Sequence, residues 1–319
     1  MDLSIIIVNW NSKDYLFKAI ASVETETRGI EFEVVVIDGG SFDGCEEMLR
    51  KFYPHVVFIQ SAENIGFAKA NNEAFKVSCG RNLLFLNPDT EVDGHAIKTL
   101  YDQLNALPNA GIVGPKLLNS DRSIQESCIR AFPTILNQVL ESDLLRNIFP
   151  MAGLWGMKPL QERDERAKEV EAVSGACFMM KRSVFEQIGM FSTDYFMYSE
   201  DIDLCLKVRK AGLNTYYIPR AVVVHHGGGS SSQAGANTFS SVMMLESRWR
   251  FFRKTRSVWY SNFYRVAMFG TCIVRIGLVL FVWPACRLAG KEFSGRAVLK
   301  KWMAKLRWTI GGERWVKNY

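Results

Sequence analysis

Continuous apolar runs, rather than alternating ones, punctuate the first third of the chain. Leu3-Ser4-Ile5-Ile6-Ile7-Val8, Glu33-Val34-Val35-Val36-Ile37-Asp38, Val56-Val57-Phe58-Ile59 and Leu83-Leu84-Phe85-Leu86 are short, rich in branched side chains and bounded by polar residues. Strands buried on both faces of a parallel sheet read this way. Helical periods lie between them. Residues 13–24 put Tyr15, Leu16, Ala19, Ile20 and Val23 on one face, with Ser12 as the predicted N-cap, and further helices are predicted near 44–52 and 66–78. This alternation predicts an α/β fold with right-handed crossovers. Beyond residue 110 the pattern loosens. Residues 111–114 read as a strand, 116–170 as a Pro-bounded helix and a charged loop over Gln161–Glu171, and 176–180 as a strand. Helices follow at 182–188 and 201–211, the latter ended by Gly212 as its C′ residue, and then short strands at 216–218 and 222–224.

In an open parallel sheet, ligands gather at the C-terminal strand ends. Here those ends carry Asn9-Trp10-Asn11, Asp38 and Asn87-Pro88-Asp89-Thr90. A dinucleotide-binding dehydrogenase would place G-x-G-x-x-G after the first strand. The chain has Asn9-Trp10-Asn11-Ser12-Lys13-Asp14 there, and no Walker A loop. Phosphates are then expected to be held through a divalent ion on carboxylates. A second polar cluster, Tyr198-Ser199-Glu200-Asp201-Ile202-Asp203, opens a helix. It reads either as an acidic first turn favouring the helix dipole or as the seat of a general base. A third, His225-His226-Gly227-Gly228-Gly229-Ser230-Ser231-Ser232, follows an apolar strand and suggests metal ligation beside a mobile lid. His55 and His95 sit in unpatterned surroundings and receive no role.

Six strings in order resemble one family: Ser4-Ile5-Ile6-Ile7-Val8-Asn9-Trp10-Asn11; Val36-Ile37-Asp38-Gly39-Gly40-Ser41-Phe42-Asp43-Gly44; Asn64-Ile65-Gly66-Phe67-Ala68-Lys69-Ala70-Asn71-Asn72; Leu86-Asn87-Pro88-Asp89-Thr90; Ser174-Gly175-Ala176; and Glu200-Asp201-Ile202-Asp203-Leu204-Cys205. From Leu3 to about Ser232 the chain is similar to the inverting family 2 glycosyltransferases of GT-A fold, in the branch with bacterial rhamnosyltransferases of envelope glycan assembly. The resemblance implies a nucleotide-sugar site with Asn9, Asn11, Asp38, Gly66, Lys69, Asn72, Asn87 and Asp89, in which Asp38 meets the donor's base. It implies Asp89 and His225 as ligands of Mg²⁺ or Mn²⁺, with His225 preferred over its neighbour His226. It also implies Asp201, paired with Glu200, as catalytic base. The donor would be a nucleotide-diphosphate-sugar, with dTDP-rhamnose the leading candidate, and the acceptor a hydroxyl of a lipid-linked or polysaccharide glycan. Two positions depart from the pattern: Gly39 replaces the usual Asn after Asp38, and Asn87 replaces the first acid of the D-x-D motif. A catalytically inactive membrane-bound scaffold is the rival reading, and it would predict damage at Asp89, Asp201 or His225, all of which are intact.

Charge divides the chain. Of its 319 residues, those from Glu246 to Tyr319 carry 16 Lys/Arg against 3 Asp/Glu, leaving 23 against 30 in the rest. Two domains are predicted: 1–245 as the transferase domain and 246–319 as a basic, apolar helical extension. Val266–Cys286 is apolar and long enough to span a bilayer, but Arg275 stands in its middle and Pro284 near its end. The expectation is one helix, or two short ones, lying in the interface of an anionic membrane; a soluble helical subdomain is the alternative. The long apolar stretch argues against nucleic acid as partner. Met1-Asp2-Leu3-Ser4 enters the first strand without a charged leader, and the seven cysteines are scattered with no CxxC. No secretory signal is expected, the thiols are expected to be reduced, and the predicted location is cytoplasmic, at the inner face of the cell membrane.

Overall fold

The four apolar runs become β1 (Leu3–Asn9), β2 (Phe32–Asp38), β3 (Val57–Gln60) and β4 (Asn82–Leu86), paired in parallel in the order β3-β2-β1-β4. The computed structural model describes residues 1–162, 164–227, 236–288 and 294–318. Leu3, Ile5, Ile6 and Ile7 of β1 are wholly buried because helices cover both faces of the sheet. Between these strands run α1 (Lys13–Glu26), α2 (Cys45–Phe52) and α3 (Phe67–Val77). Leu16, Ala19, Ile20 and Val23 form the buried stripe of α1 as predicted. Ser12 is its N-cap residue as predicted, its carbonyl accepting from the Leu16 amide at 2.8 Å, but the capping bond is not made by its side chain. The Ser12 hydroxyl donates to the Trp10 carbonyl at 3.1 Å, and the Lys13 amide is instead met by Asp43 Oδ2 at 2.9 Å.

The middle of the chain adds β5 (Thr90–Asp93), α4 (Ala96–Ala106) and β6 (Ala110–Leu118), then β7 (Ile129–Arg130), α5 (Ile135–Val139), α6 (Asp143–Ile148) and α7 (Lys158–Gln161). The expected charged loop at 161–171 holds a strand, β8 (Lys168–Val170), followed by β9 (Ala172–Val173), β10 (Cys177–Lys181) and α8 (Arg182–Gln187). The second polar cluster opens α9 (Glu200–Lys210), and Gly212, at φ +77°, ends it as predicted. The two short strands expected near 220 are one strand, β11 (Asn214–His225), which shifts register against β6 between Ile218 and Val222 around Pro219.

Among the described residues the main sheet has nine strands, ordered β3-β2-β1-β4-β10-β6-β11-β5 with β8 on β11. It is mixed: β10 is antiparallel to β4 and β6, and β5 is antiparallel to β11. One compact unit comprises this sheet and its helices. The other comprises 133–142, 197–199 and the described residues from 236, with α10 (Ala236–Thr255), α11 (Val258–Leu288) and α12 (Gly295–Thr309). We propose this division in place of a single cut at 245/246, since α10 runs unbroken through that point.

The helical unit has its own core. Phe251, Phe252, Tyr264 and Trp308 are buried, with Phe252 and Tyr264 ring centres 4.9 Å apart. Glu246 is buried there and accepts from Trp308 Nε1 at 2.9 Å and Arg250 Nε at 3.0 Å.

Candidate active site

The parallel register of β1 and β2 sets Asn9 beside Asp38 at their C-terminal ends. Asn9 Nδ2 donates to Asp38 Oδ1 at 2.8 Å and to Asp43 Oδ2 at 3.2 Å. Asp38 is fully buried and also accepts from the Ser41 amide at 2.9 Å, the Phe42 amide at 3.2 Å, Gln60 Nε2 at 2.7 Å and the Ser41 hydroxyl. Burial alone would raise its carboxyl, but the bonds from Ser41, Gln60, Asn9 and Phe42 outweigh that and hold it below its ordinary value. Asp43 accepts from the Lys13 amide at 2.9 Å and the Cys45 amide at 3.1 Å, tying the starts of α1 and α2 into the same knot.

Ligand-type atoms of Asp38, Asp43 and Cys45 lie within 4.8 Å of one another. The bonding there points away from a cation. The carboxylate lone pairs face N–H and O–H donors, and burial, then the two carboxylates, push the Cys45 thiol far up. Asp38 therefore shapes the turn after β2, with its carboxylate already engaged. Asn9 Oδ1, buried beside it, has no hydrogen-bond partner among the described residues. Asn11 lies just past the strand, exposed, at φ +51°.

The other strand ends behave differently. β11 pairs with β5 so that His225 lies opposite Thr90, and His225 Nε2 stands 3.3 Å from Asp89 Oδ1 and 3.4 Å from Asn87 Nδ2. Its other nitrogen, Nδ1, is 2.8 Å from Gln125 Oε1. A one-way relay fixes which nitrogen carries hydrogen. Asp121 can only accept, and it accepts the Ser123 hydroxyl at 2.5 Å. That leaves Ser123 Oγ to accept from Asn119 Nδ2 at 2.9 Å, and Asn119 Oδ1 to accept from Gln125 Nε2 at 3.0 Å. Gln125 Oε1 then faces the imidazole, so Nδ1 donates, and Nε2 is the nitrogen that looks toward Asp89 and Asn87. A carboxylate oxygen and an imidazole nitrogen at this spacing can share a positive charge, either a proton or a metal ion. Metal-bound histidines have this arrangement, their second nitrogen donating to a fixed acceptor.

His226 points to the opposite face of the strand, as alternation requires. Its Nε2 donates to Glu91 Oε1 at 2.9 Å, and its Nδ1 lies 2.9 Å from Ser120 Oγ. Adjacent histidines are thus anchored as donors through different nitrogens, His225 through Nδ1 on Gln125 and His226 through Nε2 on Glu91. Gln125 was absent from the sequence-derived site, because a lone Gln in an unpatterned loop gives no signal until the fold brings it to His225. The predicted lid lies outside the described residues from 228 onward.

The Ser174–Ala176 segment joins this corner to Asp201. The Asn87 amide donates to the Ala176 carbonyl at 2.8 Å, and the Gly175 amide donates to Asp201 Oδ2 at 3.0 Å. A Cβ on Gly175 would lie 3.2 Å from that of Asp201, so glycine permits the close approach. Asp201 Oδ1 accepts from the Ile202 amide at 2.8 Å, and Glu200, Asp201 and Asp203 are all buried in the first turn of α9. Asp203 accepts the Ser192 hydroxyl, which makes it a brace for the turn.

Three further predicted residues lie along α3. Gly66, at φ +79°, precedes it, and a Cβ there would come within 2.4 Å of the Phe196 carbonyl, to which the Phe67 amide donates at 2.9 Å. Lys69 is exposed. Asn72 uses both amide atoms on the Phe191 backbone, donating at 2.9 Å and accepting at 3.1 Å, so it clamps two segments together. A cleft of about 390 Å³ lined by Lys158, Glu169, Glu171 and Arg209 contains none of these residues.

Residues 4–189 match the family model described as glycosyl transferase family 2. The chain is 29% identical over 234 residues to the N-acetylglucosaminyl-diphospho-decaprenol L-rhamnosyltransferase of Mycobacterium tuberculosis, covering 70% of this chain and 75% of that protein. It is 24% identical over 272 residues to rhamnosyltransferase WbbL of Escherichia coli, covering 82% and 97%. In fold it is similar to the mannosyltransferase PcManGT from Pyrobaculum calidifontis, solved in complex with GDP-Man and Mn²⁺, with a TM-score of 0.59 at 14% identity over 97% of this chain and 86% of that one.

Proposed function

This chain belongs to glycosyl transferase family 2, and from that premise we propose that it is an inverting, divalent-metal-dependent transferase in cell-envelope glycan synthesis. It moves a sugar from a nucleotide-diphosphate donor to a hydroxyl of a lipid-linked or polysaccharide acceptor, on the cytoplasmic side of the cell membrane. The curated relatives named as rhamnosyltransferases favour rhamnose as that sugar. The observation that carries the reading is His225 Nε2 held 3.3 Å from the Asp89 carboxylate while Nδ1 is anchored on Gln125.

Asp89 and His225 would hold Mg²⁺ or Mn²⁺, with Gln125 as the residue that positions His225; nitrogen and oxygen donors suit either ion. The ion, when bound, neutralises charge on the departing diphosphate. Asp201 takes the proton of the acceptor hydroxyl while that oxygen bonds to the anomeric carbon. The bond from that carbon to the diphosphate breaks in the same displacement, and the nucleoside diphosphate leaves with the electron pair. The Gly175 amide holds Asp201 toward the segment that also contacts Asn87, so base and ion-binding corner are fixed to one strand end. Glu200 shares the buried turn and supports the base. Asn9 and Asn11 form the base side of the donor site with the loop that Asp38 organises, Asn87 supports the His225 side, and Gly66 and Lys69 border the site at the start of α3. Asn72 acts as a clamp.

Calorimetry with a panel of nucleotide-diphosphate-sugars, each with and without Mn²⁺ or Mg²⁺, tests this reading. Metal-dependent binding of one donor supports it and names the donor. Absence of binding to any donor by folded protein overturns it in favour of an inactive scaffold. Asp201→Asn should retain donor binding and lose transfer by about 10²- to 10⁴-fold; unchanged turnover would remove Asp201 as the base.

A further inference from the structure

The helical unit carries an outward apolar stripe. α11 runs 31 residues, and on it Trp259 is 85% exposed, Phe263 63%, Val266 66%, Val274 62% and Phe281 80%. At 100° per residue these positions, with Gly270, Ile273 and Gly277, fall on one face. The opposite face holds the buried Ser261, Tyr264, Met268, Cys272 and Val279. Arg275, which made the sequence look unlike a clean span, belongs to this inner side, as does Arg265. Arg265 lies 4.7 Å from the centre of the Trp308 ring, and Arg275 lies 5.7 Å from that of Trp302 and donates to the Glu141 carbonyl at 3.1 Å.

The same contacts fix the course of α12. Trp308 meets Tyr264 and Arg265, Trp302 meets Arg275, and Gly295 packs under Trp283. α12 therefore runs antiparallel behind α11 along the whole apolar stretch. That stretch, Val258–Pro284, has 27 residues and would be about 40 Å long, enough to cross a bilayer. Were it to cross, α12 would enter the hydrocarbon with it and carry the exposed Lys300 and Arg307 inside. Each cation at mid-membrane costs about 2.5–3.5 kcal/mol on insertion scales. Lying flat costs none of this. The stripe enters the lipid, α12 stays on the water side, and the exposed Arg253, Lys254 and Arg256 just ahead of α11 meet anionic headgroups.

We propose that α11 is a one-leaflet anchor: it lies in the interface of an anionic bilayer through the Trp259–Phe263–Val266–Val274–Phe281 face and does not span it. The test uses the full chain without sugar donor, so its outcome is independent of the transferase reading. Sedimentation with phosphatidylcholine vesicles containing phosphatidylglycerol should show binding that weakens at high salt and is stripped by alkaline carbonate. The surface variant F263E/F281E should partition at least tenfold less while keeping the same thermal unfolding midpoint. Resistance to carbonate, or chain segments flanking α11 found on opposite sides of the vesicle, would overturn the proposal in favour of a span. Failure to bind vesicles, together with a dimer that F263E/F281E dissolves, would overturn it in favour of a second copy on the stripe.

Discussion

Two clusters of potential ligands stand at the ends of the same sheet, and they differ in what faces them. Asp38, Asp43 and Cys45 lie within 4.8 Å of one another, close enough for an ion. Their oxygens are turned toward backbone amides, Asn9, Ser41 and Gln60. Asp89 and His225 offer fewer protein ligands. There a relay ending on Asp121 makes His225 Nδ1 a donor and turns Nε2 toward the carboxylate. Residue type and proximity therefore do not make a cation site. The direction of the surrounding hydrogen bonds decides, because an oxygen already facing a donor gives up that bond before it can bind a metal.

The comparison breaks most readily at the ligands. His225→Ala and Asp89→Asn should each weaken Mn²⁺ binding in the presence of nucleoside diphosphate by at least about 100-fold, comparable to or beyond the loss of an outer-shell partner. Asp43→Asn should lower the unfolding midpoint with little change in Mn²⁺ affinity per folded molecule. Paired calorimetry and thermal unfolding separate the two behaviours, and an Asp43→Asn protein that is stable but blind to Mn²⁺ would invert the assignment. Gln125→Met sharpens it further. Loss of the acceptor for Nδ1 should cost about 10- to 100-fold in Mn²⁺ affinity, and two-bond ¹⁵N–¹H couplings of the metal-free protein should show His225 leaving the Nδ1–H tautomer while His226 keeps its own. A coupling pattern unchanged at His225 would remove Gln125 from its positioning role.

The smallest effect belongs to Asp38. Asp38→Asn keeps the shape and loses the charge, at a cost of about 1 kcal/mol. Its folded-state pKa is depressed, so its contribution is present above the ordinary Asp value of 3.8 and fades as pH falls through the folded value. Urea unfolding across the acid range should therefore show a shallower pH dependence in the variant. An identical slope would mean that Asp38 gains nothing from its donors.

The strands β1 to β4 were legible because each is buried on both faces, and burial leaves an apolar run in the sequence. The mixed half of the sheet was less so. β5 (Thr90–Asp93) is a short edge strand whose polar residues hide it, and Lys168–Val170 reads as a charged loop until β11 is there to pair with it. At the site, Asp89, Asp201 and His225 stood out because titratable groups sat at ends of predicted elements. Asp38 drew attention for the same reason and Asn72 through the family resemblance, but their geometry gives them structural work: Asn72 clamps Phe191, and Asp38 knots the β2 turn. Gln125 and Asn119 could not be found, since nothing local ties a hairpin amide to a histidine on a distant strand.

The insertion of β10 between β4 and β6 has a consequence for how the molecule is made. During synthesis β1 to β4 emerge first, but the partner of Leu86 is Cys177, which appears only after β5, α4, β6 and α5 to α7. Until then β4 presents an unpaired apolar edge, Leu83-Leu84-Phe85-Leu86, of the kind that recruits other chains. Closing that gap is a long-range pairing and so a slow one. A nascent chain stalled before residue 177 should thus depend on chaperones, while one that has passed it can seal its own sheet.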